Sequence, residues 1–198
     1  MSLVIAAKID GSVLMGADSQ RSHGDREKVT GRGENNLKIT KMPHGILLGH
    51  AGEVRVIQPL ACHGDWFEET EDEPLSKRFL VEKIVPRYYE ELKKRGWLAN
   101  SDDPLEHSCF RGSFLIAQGD RLFGLNGDFS VDEIPAFAAI GCGQDAAYLA
   151  WREADADAGM AQNMLLRALR LSVASDNSVG APFVFIDTKE LRYEYVEE

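Results

Sequence analysis

Two apolar runs separated by Asp10-Gly11 stand almost at the start of the chain, and they leave it little freedom in how to fold. Leu3 to Ala7 is apolar throughout, Ser12 to Ala17 is nearly so, and Asp-Gly is a two-residue turn whose twist suits an antiparallel hairpin. The chain therefore begins inside a sheet, and Ser2 is expected to be held by a strand. That placement gives Ser2 a chemical meaning. Aminopeptidases remove an initiator Met when the second residue is small, and loss of Met1 would leave Ser2 with both a hydroxyl and a free α-amine. An α-amine has an unperturbed pKa of roughly 7.7 to 8, against about 10.4 for a Lys amine, so it can take up a proton near neutral pH. Nucleophile and base would then sit on one residue.

The remaining pattern predicts further strands at 37 to 42 and 45 to 50, after those at 2 to 9 and 12 to 18, then a helix at 53 to 66 bent by Pro59. Leu75 to Arg95 reads as a second helix despite Pro86, with Phe79, Leu80, Ile84, Tyr88 and Leu92 forming a stripe for core or interface packing. Ser113 to Gln118 and Arg121 to Asn126 form a hairpin about Gly119-Asp120, and a strand follows at 137 to 140. Helices at 144 to 156 and 160 to 174 precede strands at 182 to 187 and 191 to 196. Residues 20 to 36, rich in Gly, Arg and Asp, are expected to be one long loop bordering a cleft. Strands, two helices, strands, two helices, strands is the order of an α+β layered sandwich in which helices cover two stacked antiparallel sheets. Asp18 and Lys38 fall on two of those strands.

Composition bounds the rivals. With 198 residues and 44% hydrophobic content the chain can bury one substantial core, and a single domain over 1–198 is expected. A formal net charge of -10 argues against nucleic-acid binding, which needs clustered Lys and Arg. Cys62, Cys109 and Cys142 are an odd set without a CxxC pair, and the start lacks a basic leader with an apolar core, so the expected home is a reducing cytoplasm. No apolar run approaches the roughly 18 residues of a membrane span. Glu68-Glu69-Thr-Glu71-Asp72-Glu73 reads as a solvated charge block or a dock for a basic partner. His63, Asp65 and Glu68 lack metal-ligand spacing, and no metal or cofactor is expected.

Six segments carry a family resemblance. Ser2-Leu-Val-Ile-Ala-Ala-Lys-Ile-Asp-Gly, Gly16-Ala-Asp18-Ser-Gln20, Asn36-Leu-Lys38-Ile and Gly49-His-Ala51-Gly52 resemble the opening of the proteasome β-type and HslV-like N-terminal nucleophile hydrolases. Phe137-Ala-Ala-Ile-Gly141-Cys142-Gly143 resembles that family's turn before a helix, and Ala174-Ser-Asp176 with Gly180 resembles the loop packed on its nucleophile. The likeness covers roughly 1 to 60 and 112 to 187 and is poor over 61 to 111. It implies the family's four-layer αββα fold. Position by position, it puts Ser2 in place of the nucleophilic threonine, Asp18 and Lys38 in place of its acid and lysine, and Gly52 in place of the glycine that stabilises the oxyanion. His50 matches a position that shapes the specificity pocket, where a His would suit polar or acidic side chains. Cys142 stands where the family has a serine and is a weaker donor, and Val179 replaces another, with Ser178 one place short. Serine also lacks the methyl that restricts threonine, so Ser2 is the less preorganised nucleophile.

The chemistry explains the set. A Lys ammonium beside the terminal amine disfavours a second positive charge there, and a carboxylate anchors the Lys. The resemblance implies a peptidase that cleaves peptides or unfolded protein through an acyl-enzyme on Ser2, in a homo-oligomeric ring fed by an unfoldase ATPase. Three alternatives stay open: a noncatalytic subunit of the same fold if Met1 is retained, a small-molecule amidase of the same chemical class, and an interaction module built on the acidic block at 68–73.

Overall fold

The computed structural model of the chain describes residues 2–23, 27–29, 37–71, 74–99, 109–153 and 161–197. In chain order its strands are β1 (Leu3–Ile9), β2 (Ser12–Asp18), β3 (Arg21–His23), β4 (Glu27–Val29), β5 (Ile39–Lys41), β6 (Leu47–Gly52), β7 (Gly112–Gln118), β8 (Arg121–Leu125), β9 (Val131–Glu133), β10 (Phe137–Gly141), β11 (Phe183–Asp187) and β12 (Glu194–Val196). Its α-helices are α1 (Val54–Cys62), α2 (Lys77–Phe79), α3 (Val85–Lys94), α4 (Gln144–Glu153) and α5 (Ala161–Ser175). The predicted hairpin forms, with Val4 opposite Ala17 and Lys8 opposite Val13. Asp10 and Gly11 both have positive φ, 46° and 72°, as a tight hairpin turn requires.

Two five-stranded antiparallel sheets result, in the orders β10-β1-β2-β11-β12 and β5-β6-β7-β8-β9. Side chains alternate along a strand, so β1 sends Leu3, Ile5 and Ala7 into one apolar cluster and Val4 and Ala6 into another. The first cluster takes in Ala147 and Ala150 of α4 and Leu165 and Leu169 of α5. The second takes in Leu47, Leu115, Ala117 and Leu122 of the other sheet. A third joins Leu48, Phe114, Ile116 and Phe123 of that sheet to Val56 and Leu60 of α1 and to Tyr88 and Leu92 of α3. Over Leu3 to Ala7 neither face of β1 meets water, which is why that run is apolar at every position.

Several expectations need correction. Residues 20 to 36 are not one loop, because β3 and β4 pair as a short antiparallel hairpin; residues 24–26 and 30–36 lie outside the described ones. Arg21-Ser-His and Glu27-Lys-Val carry no apolar alternation, so hydrophobic pattern could not reveal them. The edge strand β9 buries one residue, Val131, and was invisible for the same reason. α1 stops at Cys62 instead of near 66, where His63 leaves helical geometry and a 3₁₀ stretch, Gly64–Glu71, begins. Side chains three apart eclipse in such a helix, so Phe67 and Thr70 share the buried side while Glu68, Glu69 and Glu71 are exposed. Glu69 pairs with Lys83 and Arg87 at 3.3 and 3.6 Å, and Asp72 and Glu73 lie outside the described residues.

The predicted helix at 75 to 95 is capped by Ser76, whose Oγ accepts from Phe79 N at 3.1 Å. It carries one wider, π-type turn, Leu80–Ile84, closed by Val85 N donating to Leu80 O. Pro86 follows directly, with no N–H to give and a ring that crowds the carbonyl four residues back; the wider turn relieves that crowding and the helix runs on. The next predicted helices appear as α4, described to Glu153, and α5; residues 154–160 lie outside the described ones. Among the described residues no helix is long and apolar enough to cross a membrane.

Candidate active site

Asp18 ends β2, is 1% exposed, and receives four donors. Its Oδ1 accepts from Leu3 N at 2.8 Å and from Lys38 Nζ at 2.6 Å. Its Oδ2 accepts from Gln20 N at 3.2 Å and Gly180 N at 3.3 Å. Lys38 Nζ donates as well to Gln20 O at 2.7 Å, and its side chain is buried. Taking both charges out of water costs several kcal/mol per ion, at an order of magnitude, and is sustained only where geometry and hydrogen bonds are good. Three of the four donors are backbone N–H groups fixed by the fold, so the carboxylate is held in one place. Leu3 N is peptide-bonded to Ser2. One oxygen of Asp18 thus ties the first residue of the sheet to the ammonium of Lys38.

Local structure explains this convergence. Lys38 immediately precedes β5, and His50 N donates to Lys38 O at 2.9 Å, which fixes its backbone against β6. The segment after α5 closes the other side: Ser19 N donates to Gly180 O at 3.1 Å, Ser19 Oγ to Pro182 O at 2.5 Å and Gln20 Nε2 to Asn177 O at 2.8 Å. Asp176 orders that segment, since its Oδ1 accepts from Ser178 N at 2.8 Å and from Ser178 Oγ at 2.5 Å. The serine that sits one place early in the sequence is therefore buried and bonded to the matched aspartate.

Ser2 is half-buried, and its carbonyl accepts from Cys142 N at 2.9 Å. Leu3 pairs with Gly141, whose φ is 105°; a Cβ there would lie 1.8 Å from Ser2 O, so only glycine lets β10 turn this closely around Ser2. Gly52 has φ 133°, and a Cβ on it would lie 2.4 Å from Gly112 Cα. Between these segments lies a cleft of about 420 Å³ lined by Gly52, Glu53, Arg111, Gly112, Gly141 and Cys142. Its far wall is set by aromatic packing: Tyr88 meets Phe110 edge-on at 5.2 Å, Phe110 N donates to Gly127 O, and Arg111 follows.

The structure thus brings Asp18 and Lys38 together beside the backbone of Ser2, and Gly52 and Cys142 onto one cleft. Cys142 carries a free, exposed thiol. His50 sits opposite Phe114 on β6 and is not among the residues that line the cleft. The helix after Gly52 begins at Val54, and Glu53 N is already committed to Arg111 O at 2.9 Å. Sequence reading missed the carbonyl of Gln20 as a Lys38 acceptor, the Gly180 N–H as an Asp18 donor, and Arg111. Backbone roles leave no residue signature, and Arg111 lies in the stretch with the poorest likeness. Among the described residues no group of three or more His, Cys, Asp or Glu is placed to hold a metal ion.

No family model matches the chain, and no curated protein matches it. Solved structures share its fold. Thiobacillus denitrificans BPH in complex with epoxomicin is 23% identical with a TM-score of 0.66, over 96% of this chain and 99% of that one. Anbu, the ancestral beta-subunit, from Yersinia bercovieri is 15% identical with a TM-score of 0.69, over 99% and 87%. Eukaryotic HslV from Trypanosoma brucei is 17% identical with a TM-score of 0.66, over 99% of each chain. The resemblance read from six short segments therefore holds at the level of the whole fold, a mixed α+β fold shared with HslV and Anbu.

Proposed function

We propose that this chain is a serine-type N-terminal nucleophile peptidase, built as one domain on the four-layer αββα plan of the proteasome fold. One observation carries the reading: Asp18 Oδ1, buried, binds Leu3 N and Lys38 Nζ at once. An ordinary interstrand ion pair needs no link to the terminal residue, whereas a terminal nucleophile needs both a fixed position and a neighbouring cation.

In the proposed reaction Met1 is first removed. The amine of Ser2, acting through a water, takes the hydroxyl proton as Ser2 Oγ attacks the substrate carbonyl carbon. Gly52 N–H stabilises the resulting oxyanion, and the protonated amine gives its proton to the departing amine of the substrate. An ester of Ser2 remains. Water, deprotonated by the same amine, then attacks the ester; the C–Oγ bond breaks, the amine returns the proton to Ser2 Oγ, and the acid is released. Lys38 keeps the terminal amine neutral by charge repulsion, and Asp18 holds Lys38. Cys142 N and Gly141 fix the Ser2 carbonyl, and Asp176 orders the loop that completes the Asp18 site. The substrates are peptides or unfolded proteins in the cytoplasm, which an unfoldase ATPase delivers to a homo-oligomer.

A complex with epoxomicin and HslV itself are among the fold's solved examples, and they support this reading. Hydrolysis of fluorogenic peptides tests it. The expected result is turnover by wild type and its loss, by at least about 10²-fold, in Ser2→Ala and Lys38→Ala proteins that retain a folded circular-dichroism spectrum. Turnover that persists in folded Ser2→Ala refutes the assignment.

A further inference from the structure

The cleft contains two charged residues, Glu53 and Arg111, and they are unequally engaged. Glu53 Oε2 accepts from Arg55 Nε at 2.9 Å, a good charge-assisted hydrogen bond. Glu53 Oε1 lies 3.6 Å from Arg111 Nη1, beyond hydrogen-bond length. The side chain of Arg111 is 74% exposed. Two guanidinium groups thus share one carboxylate that is already committed to Arg55, outside the cleft, which leaves Arg111 the less engaged of the two charges that line it.

A purely structural role for the Glu53–Arg111 pair is superfluous. The two segments are already joined by Glu53 N donating to Arg111 O at 2.9 Å and by the pairing of β6 with β7 through Gly52 and Gly112. The backbone of Arg111 is rigidly mounted, between buried Phe110 and the first residue of β7, while its guanidinium is only loosely held. A fixed cation with a weakly engaged head is suited to an incoming carboxylate, which can take two parallel N–H donors where Glu53 takes none at bonding distance.

We infer that this cleft receives a peptide segment bearing an Asp or Glu side chain, bound by Arg111, so that acidic peptides are favoured over neutral and basic ones. The inference rests on reading the cleft as the substrate site. It concerns selection of the substrate and not the bond-breaking step, which makes Arg111 a specificity residue. Because the guanidinium is exposed and Glu53 competes for it, the preference is modest: roughly 3- to 10-fold, the scale of a well-formed exposed ion pair. It is screened in 1 M salt, where the Debye length falls to about 3 Å.

The test uses peptides identical except for Glu, Gln or Lys scanned through the positions flanking the scissile bond. Wild type is expected to show a Glu-to-Gln ratio of kcat/KM of roughly 3 to 10 at one position, carried in KM; the ratio falls to about one in Arg111→Gln and inverts in favour of Lys in Arg111→Glu. The same labelled peptides are bound, by fluorescence anisotropy, to full-length Ser2→Ala protein with and without Arg111→Gln. If no peptide is cleaved but Ser2→Ala binds the Glu peptide in an Arg111-dependent manner, the peptidase reading fails and the inference stands. If Ser2-dependent cleavage occurs but Glu and Gln peptides bind and turn over alike, the peptidase reading stands and the inference is overturned. Absence of both binding and turnover overturns it too.

Discussion

At the scale of single residues, Asp18 and Lys38 are not equivalent partners. Removing the lysine leaves a carboxylate that still accepts from three backbone N–H groups. Removing the aspartate takes from a buried ammonium the carboxylate that lies 2.6 Å from it. Asp18→Ala is therefore expected to cost about 3 to 5 kcal/mol and Lys38→Ala less, as measured by urea unfolding. An equal or reversed order would show that the backbone donors do not hold the carboxylate as described. Gly52→Ala is expected to lower peptide turnover by about 10² to 10³, because a positive φ and an abutting Gly112 force the peptide group away from the oxyanion position. Turnover within a few-fold of wild type in that variant would remove Gly52 from the mechanism. Peptide hydrolysis should rise with pH as the Ser2 amine loses its proton, with the limb at or below the roughly 7.7 to 8 of an ordinary α-amine. Lys38→Gln removes the repulsion, raises the amine pKa and moves that limb to higher pH; an unmoved limb denies Lys38 its tuning role. Much of this site was legible. Asp18, Lys38 and Gly52 stand in short runs tied to strand ends, whereas Arg111 acts through placement that only the folded aromatic cluster creates.

At the scale of elements, α3 connects the helical side of the second sheet to the cleft. Tyr88 is fully buried, donates its hydroxyl proton to Val56 O, and packs edge-on against Phe110 and Phe114. Tyr88→Phe keeps the ring but removes the hydroxyl's hydrogen bond to Val56 O, at a cost of about 0.5 to 1.5 kcal/mol in thermal or urea unfolding. Burial also raises the Tyr88 phenol pKa well above its ordinary value. The folded state therefore resists ionisation while the unfolded state ionises freely, so this residue's contribution is complete below about pH 10 and declines as pH rises above it. Wild type is expected to lose stability faster than Tyr88→Phe across that alkaline window, and parallel curves would contradict the burial of the hydroxyl. The elements legible in the sequence were those with continuous apolar runs or a periodic apolar stripe: β1 and β2, the hairpin of β7 and β8, and the stripe from Phe79 to Leu92. β3, β4 and β9 are short and mostly polar, so their pairing comes from neighbouring strands. The end of α1 came from an i, i+3 burial of Phe67 and Thr70 that reads equally well as a continuing helix.

At the scale of the whole molecule, the same fold occurs in solved HslV and Anbu chains, and a helical assembly of the Anbu complex from Pseudomonas aeruginosa has been solved at 14% identity and a TM-score of 0.69. Sedimentation velocity is expected to give a species several times the 22.0 kDa chain, and a monomer would refute the oligomer. Assembly was not readable from this sequence by physical argument, because exposed apolar residues such as Leu149 and Leu171 carry no periodic mark that would separate an interface from ordinary surface. Every step of the proposed chemistry nevertheless depends on a free amine and a hydroxyl on one residue. An epoxyketone tests both, since its ketone is captured by a hydroxyl and its epoxide is opened by an amine. Peptide mapping of the treated, full-length protein is expected to find Met1 absent and a single adduct on Ser2 that involves both groups. Met1 still joined to Ser2 throughout the native population, with no adduct there, would contradict the account and leave only a shared scaffold.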